Sequence, residues 1–447
     1  MNPSVIGADV DACFTHFTRR VGELSLASDA NRGRVISLGG ATMLTRLLER
    51  AGDDALLEGA ATALSNLALA PEGQKAVMEA GAADSLIVLL AARYGDGVHS
   101  SAAAALRNLA CSPEGRARIG ELGGIETLVR LCGESRSVGV QENAAAALAN
   151  LADDAGNRQR VAACGGLEAL CGLCNASQSD AVLACAAAAL GNLADDDENR
   201  IAIEKMGGLE PLVRLCSSSV SDAVLESAAA ALANLAYNEN NRKRIAQLSG
   251  IEPLVWLCAH SRSDSVLESA SAALGNLAYY NDKNRIRIAE TGGLAALAQL
   301  CEGTASVSVL ESATGALRHV VYNNESNRIR FVRSGGLELL VKLISHCDSE
   351  AVLEGATAML RKAVASPEAA LSLVEAGALP PLCRLEAEWV GTVRSYSTAT
   401  LRSLERHCRR PWHPPSGGQR PSAAYMLLPS AHPGSMAPPV REAAAAR

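Results

Sequence analysis

Asparagine recurs at one position of an internal repeat of 42 residues: Asn66, Asn108, Asn150, Asn192, Asn234 and Asn276, each inside an Ala/Leu-rich string such as ALSN, ALRN, ALAN or ALGN. No other feature restricts the possible folds as much. A repeat of this length is one supersecondary unit that buries its apolar face only by stacking on its neighbours, so the chain should form a solenoid rather than a closed globule. Equivalent positions then line up along one surface. A row of side-chain amides, each offering a donor and an acceptor, suits the backbone of an extended peptide.

The unit from Asn199 to Asn240 shows the local design. NRIAIEKM is long enough for about two helical turns and stops at Gly207-Gly208, where a residue without Cβ permits a sharp turn. LEPLVRLC follows as a second helix, with Pro211 tolerated because it falls in the first turn. After the serine-rich SSSVSD comes AVLESAAAALANLAY, the longest piece, with apolar positions at helical spacing. Aromatic residues make up only 3% of the chain while the AVILMFWYC set reaches 48%, so the core is built from Ala, Leu, Val and Ile, which let helices stack closely.

Glycine punctuation recurs at Gly39-Gly40, Gly81, Gly123-Gly124, Gly165-Gly166, Gly207-Gly208, Gly250, Gly292-Gly293, Gly335-Gly336 and Gly377, which makes nine units. The expected fold is all-α, a solenoid of about nine three-helix units. Residues 1–30 are expected to hold a capping helix over the open face of the first unit. Repeats should occupy 31–406, starting near 31, 73, 115, 157, 199, 241, 284, 327 and 370. Residues 407–447, rich in Pro, Gly, Ser and Ala, read as a disordered tail.

A formal net charge of −7 argues against the broad basic footprint that nucleic-acid binding needs and favours basic protein partners. No run approaches the roughly 20 apolar residues of a membrane span. The opening MNPSVIGADVDACFTHF has neither a signal-peptide pattern nor the Gly at position 2 that N-myristoylation needs. The cytoplasm is the expected location, with the nucleus open as well. Cys132, Cys174, Cys216, Cys258 and Cys301 share one repeat position after a Leu, where free Cys serves as a small buried hydrophobe. Cys171 and Cys174 form a lone CxxC without a second pair at zinc-finger spacing, so no metal or other cofactor is expected. With no GxSxG, P-loop, HExxH or paired-carboxylate pocket, a non-enzymatic protein is expected. No sequence feature sets the oligomeric state.

Three helices in about 42 residues, the glycine turn after an NR-led first helix, the VLES entry to the third helix and the ALxNLA string resemble the armadillo repeat, over about 375 residues. This is the family of beta-catenin, importin-alpha and the vacuolar or Arabidillo-type armadillo scaffolds. The resemblance implies a right-handed superhelical solenoid whose third helices line a concave groove, in which an Asn amide pairs with the backbone of an extended peptide. By that resemblance the role falls to Asn66, Asn108, Asn150, Asn192, Asn234 and Asn276. The alternative is that these amides brace one repeat against the next.

Eight residues before the Asn stands Glu58, Glu142, Glu226 or Glu268, continued by Glu311 and Glu354. These acids either face the groove or serve the helix start, since Ser265 to Glu268 and Ser308 to Glu311 have capping-box spacing. Three residues after the Asn come Asp153, Asp195, Tyr237 and Tyr279, with Tyr322 in the following unit. The acidic runs around Asp153 and Asp195 would attract Lys or Arg, and the tyrosines would cover the aliphatic stems of those side chains. Solvated loop acids and packed tyrosines are the competing reading. In the last units Arg318, His319, Arg361, Lys362 and Arg402 form a more basic second surface suited to an acidic partner. The first-helix arginines Arg158, Arg200, Arg242, Arg285 and Arg328 read as regular surface or inter-repeat pairing.

The expected function is a scaffold or adaptor that binds an extended, basic peptide segment. Two alternatives stay open: an importin-alpha-like nuclear transport adaptor, and the substrate-recognition subunit of a ubiquitin ligase. The first is weakened because Thr62, Ala104, Ala146, Ala188, Ala230 and Ala272 stand where importin-alpha often places Trp, and because the N-terminal segment is not a basic arm. The second lacks a recognisable F-box or U-box.

Overall fold

The computed structural model describes residues 3–50, 52–364 and 366–408. The tail read at 407–447 therefore lies, apart from its first two residues, outside the described residues. Among the described residues there are 28 helices and no strand. One long helix, Pro3–Ala27, precedes nine successive triplets.

Each triplet repeats one recipe. The first helix is nine residues long, as in Asp197–Lys205 or Glu239–Gln247. In every triplet but the second, whose N-cap is Ala70, a side-chain oxygen at the N-cap of this helix accepts from backbone N–H groups of the first turn, from Ser28 and Ser112 through Asp154, Asp196, Asn238, Asn281 and Asn324 to Ser366. A left-handed residue then turns the chain into the second helix. The third helix carries the alanine run, for example Asp222–Leu235, where Ala228, Ala229, Ala231 and Leu232 are fully buried.

Third helices stack in chain order. Pro3–Ala27 packs on Asp54–Leu67, which packs on Asp96–Leu109, and so on through Val138–Leu151, Asp180–Leu193, Asp222–Leu235, Asp264–Ala278, Val307–Val321 and Glu350–Ala363 to Gly391–Cys408. Small residues set the spacing: a Cβ on Gly191 would lie 3.3 Å from the Cα of Ala231, and one on Gly275 would lie 3.3 Å from that of Ala316. The buried apolar residues form one continuous core from Val21 to Leu404. Cys132, Cys174, Cys216, Cys258 and Cys301 lie inside it. Burial pushes the first four thiols up to about 12 and Cys301 up to about 11, so the thiolate is strongly disfavoured.

One turn departs from the rest. The left-handed position belongs to Gly207 in one unit and Gly292 two units later, but to Ser249, at φ 61, in the unit between them. Gly250, which marks that turn in the sequence, has a different task. A Cβ there would stand 2.7 Å from Ile245 Cγ2 and 3.0 Å from the Ile245 carbonyl oxygen, so it is a contact glycine. An L-residue in the left-handed region costs about 1–2 kcal/mol that glycine avoids, partly offset by glycine's larger chain entropy. Ser249→Gly should therefore raise the free energy of unfolding measured in urea, by about 0.5–1 kcal/mol. Gly250→Ala should lower it, by about 1–3 kcal/mol.

Candidate peptide-binding groove

The six ladder asparagines share one geometry. In each, Nδ2 donates to a backbone carbonyl of the preceding long helix: Asn66 to Gly22 at 3.0 Å, Asn108 to Ser65 at 2.9 Å, Asn150 to Arg107 at 3.0 Å, Asn192 to Ala149 at 3.0 Å, Asn234 to Gly191 at 2.9 Å and Asn276 to Ala233 at 2.9 Å. The bracing role is thus real. It uses one of the two N–H donors and leaves Oδ1 and the second N–H in most units. Asn150 also donates to Cys111 Sγ at 3.5 Å, and Asn108 departs furthest: it is buried, also donates to Ser65 Oγ, and its Oδ1 accepts from Arg107 Nε at 3.3 Å. The other five are half-buried at the exposed edge of the helix stack.

A second asparagine ladder went unnoticed in the sequence, although the NR string that contains it was plain. Asn157, Asn199, Asn241, Asn284 and Asn327, in the first helices, are all buried. Asn241 donates to the carbonyls of Arg200 and Leu235, Asn284 to those of Arg242 and Leu277, and Asn327 to those of Arg285 and Val320. These amides tie a first helix both to the preceding first helix and to the preceding third helix.

The arginine that follows the first four of them is an inter-repeat wedge rather than free surface. Arg158, Arg200 and Arg242 donate to the carbonyls of Ala152, Ala194 and Ala236, the C-cap residues of the preceding third helices. Arg285 Nε donates to the Ala278 carbonyl at 2.9 Å in the same way. A cation at this position also complements the helix dipole. The same guanidinium groups lie over the rings of the next tyrosines: Arg200 over Tyr237 at 5.7 Å, Arg242 over Tyr279 at 5.9 Å and Arg285 over Tyr322 at 5.8 Å. One face of each ring thus already meets an arginine of the chain. The rings nevertheless stay 63%, 46% and 43% exposed.

Armadillo-like repetition of this geometry agrees with the comparisons to known proteins. The armadillo/beta-catenin-like repeat matches residues 112–153, 154–195, 196–237 and 238–279. The crystal structure of an engineered protein is similar at 31% sequence identity and a TM-score of 0.78, covering 88% of this chain and 95% of its own.

The chain belongs to the armadillo-repeat family. A second engineered protein of known crystal structure is 33% identical with a TM-score of 0.50, covering 53% of this chain and 96% of its own. No curated protein sequence matches significantly. The armadillo fold identifies a protein–protein interaction scaffold, a type that is generally non-enzymatic. Among the described residues, no helix is long and apolar enough to cross a membrane.

Within this armadillo scaffold the acidic residues divide. Asp154 and Asp196 are spent as N-caps. Asp153 and Asp195 remain exposed beside the ladder, Asp153 with Arg116 Nη1 at 3.6 Å. The capping-box reading of the glutamates fails, because the N-caps are Ser263 and Ser306, two residues before Ser265 and Ser308. Instead the glutamates reach across to the next repeat: Glu226 accepts from Ser265 Oγ at 2.7 Å, Glu311 from Ser349 Oγ at 2.5 Å, and Glu354 reaches back to Arg318 at 3.1 Å. Glu142 and Glu268 are half-buried at the same helical position.

At the basic end, Arg318, His319, Arg361 and Lys362 line one cavity together with Tyr279 and Tyr322. Arg402 is exposed and outside its lining. His319 is not one of the positive charges. Burial first, then Arg318 and Arg285, lower it from 6.5 to about 4.

Two expectations follow from these contacts. Asn284→Ala strands two buried carbonyls and should cost about 1–3 kcal/mol, more than Asn234→Ala, which removes one half-exposed bond worth about 1 kcal/mol; urea unfolding of the two variants checks the order. The His319 ring should titrate by NMR near pH 4, as burial beside two arginines requires. The unfolded chain takes up that proton near its ordinary value, so the contribution of His319 to stability is complete above about pH 6.5 and is lost as pH falls toward 4.

Proposed function

We propose that the asparagine-lined face of the middle repeats binds an extended, basic peptide segment of a partner protein. The observation that carries this reading is the half-used ladder amide. Holding Nδ2 against the preceding helix fixes the side chain's orientation before any ligand arrives, so the remaining donor and acceptor meet a peptide N–H and C=O without a further loss of rotamer freedom. Long helices about 10 Å apart give six rungs a span on the order of 50 Å, enough for about 15 extended residues.

Charge gives the preference among peptides. Asp153 and Asp195 flank the ladder, and the exposed faces of Tyr237 and Tyr279 offer apolar surface to the stems of Lys or Arg. Arg116 screens Asp153 only from 3.6 Å and at the surface. The thirteen free cysteines fit a reducing compartment, so the cytoplasm, with access to the nucleus, is the proposed location.

Fluorescence anisotropy with a labelled peptide of alternating Lys and Ala tests the proposal at a temperature where all variants are fully folded. Asn192→Ala, Asn234→Ala and Asn276→Ala together should weaken binding by about 10- to 100-fold. Because these changes also remove bracing bonds, Asp153→Asn with Asp195→Asn forms the second arm. That pair should weaken binding several-fold, flatten its salt dependence and leave the unfolding midpoint unchanged. Unchanged affinity in both arms would show that the face serves only to hold the repeats together.

A further inference from the structure

The cavity among the last three third helices supports a separate inference that does not depend on the middle groove. It encloses about 170 Å³ between the rings of Tyr279, Tyr280, Tyr322 and Tyr396, with Ala358 and Met359 completing the apolar wall. An apolar cavity of about 150 Å³ accepts a benzene ring, so this one has room for a single bulky apolar side chain.

Its lining also includes Arg285, Arg318, Arg361 and Lys362, and no carboxylate. Two of these cations are already paired from outside the cavity, Arg285 with Asp282 at 2.7 Å and Arg318 with Glu354 at 3.1 Å. Among the described residues, Arg361 and Lys362 have no carboxylate partner. Arg361 is held over the Tyr396 ring at 4.9 Å, and Lys362 is exposed. Neutral His319 accepts from Arg318 Nη2 at 3.3 Å, so this part of the wall is fixed by hydrogen bonding.

The backbone points to the same place. Tyr280 has φ 47 and is 71% exposed. A bulky residue in the left-handed region is an outlier, and an exposed ring gains little burial to offset the strain; such outliers cluster at ligand sites. The corresponding loop of the next unit places Asn323 there, at φ 49, a residue type that tolerates this conformation. The chain thus keeps a tyrosine where the turn alone would favour Gly or Asn, and the ring forms one wall of the cavity.

We propose that this cavity binds an acidic peptide segment of a partner protein, with a bulky apolar side chain entering between the tyrosines and flanking Asp or Glu carboxylates pairing with Arg361 and Lys362. Charge complementarity selects the acids, and the ring-lined volume selects the apolar residue. A free inorganic anion would leave that volume unfilled.

The test uses the full chain and a fluorescein-labelled peptide, Asp-Glu-Asp-Phe-Glu-Asp-Glu, read by anisotropy. Saturable binding is expected, at least tenfold weaker for Lys362→Glu and for Ala358→Trp, which fills the cavity. Replacing the peptide's phenylalanine by alanine should weaken binding at least fivefold. Tyr280→Gly separates binding from folding: relief of the left-handed strain should hold or raise the unfolding midpoint while binding falls. Lys342→Glu, an exposed charge change outside the cavity, should leave binding unaltered. The proposal is overturned if the wild-type chain does not bind the peptide at low salt, or if Tyr280→Gly and Lys362→Glu both bind as well as wild type. Full displacement by inorganic phosphate, with no effect of the phenylalanine, would overturn it in favour of a simple anion site.

Discussion

The hydrogen bond from a side-chain amide of one long helix to a backbone carbonyl of the helix before it is the contact on which the rest of the structure depends. It forms only because the two helices approach closely, and they do so because alanine and glycine fill the seam. Gly191 and Ala231 are in near contact, and Asn234 donates to the carbonyl of that same glycine. A larger side chain at either seam position would push the helices apart and break the bond. Packing and hydrogen bonding are therefore one design rather than two additive terms. Because every unit touches mainly its neighbours, the same pair of contacts must be repeated along the chain, and the ladder that a ligand would meet is a by-product of that repetition.

A second device closes the units on the other side of the stack. The NR pair of a middle first helix, as at Asn241-Arg242 and Asn284-Arg285, sends a buried amide to two carbonyls and a guanidinium to the open C-terminal end of the preceding third helix. Those carbonyls would otherwise lack partners. The arginine then carries a tyrosine on its face, which places aromatic surface beside the asparagine ladder from Tyr237 onward. The same wedge that completes the helix ends thus shapes the groove, and it changes the groove's character along its length. Acids stand beside the ladder at Asp153 and Asp195, whereas Arg361 and Lys362 border it near the end.

Much of this was legible in the sequence because repetition turns a weak signal into a strong one. A single Asn in an alanine-rich helix says little, but six at one spacing announce stacked units, and the ladder cysteines are recognised as core by the same logic. What stayed hidden lies between units or in a single turn. Whether Asn192 braces or binds depends on a carbonyl at Ala149, and no local pattern reveals that partner. Ser265 and Glu268 have the spacing of a capping box, yet the helix begins earlier, at the cap Ser263, so Ser265 is free to donate to Glu226 of the previous unit. The role of Ser249 was masked by the glycine next to it. His319 reads as one more cation in a basic row, and only its burial beside Arg318 and Arg285 makes it neutral. Spacing encodes the fold; the chemistry of the groove depends on contacts made some 43 residues apart.

The central claim is that the ladder amides of Asn192, Asn234 and Asn276 are half committed to the fold and half available to a ligand. The most direct measurement is the NMR signal of the side-chain amides, with assigned Nδ2 protons followed as a basic peptide is added. The account predicts that the Asn192, Asn234 and Asn276 amides shift progressively with peptide, while those of Asn241, Asn284 and Asn327, buried and fully bonded within the chain, stay in place. Ladder amides that do not move at saturating peptide, or first-helix amides that move in their stead, would contradict it.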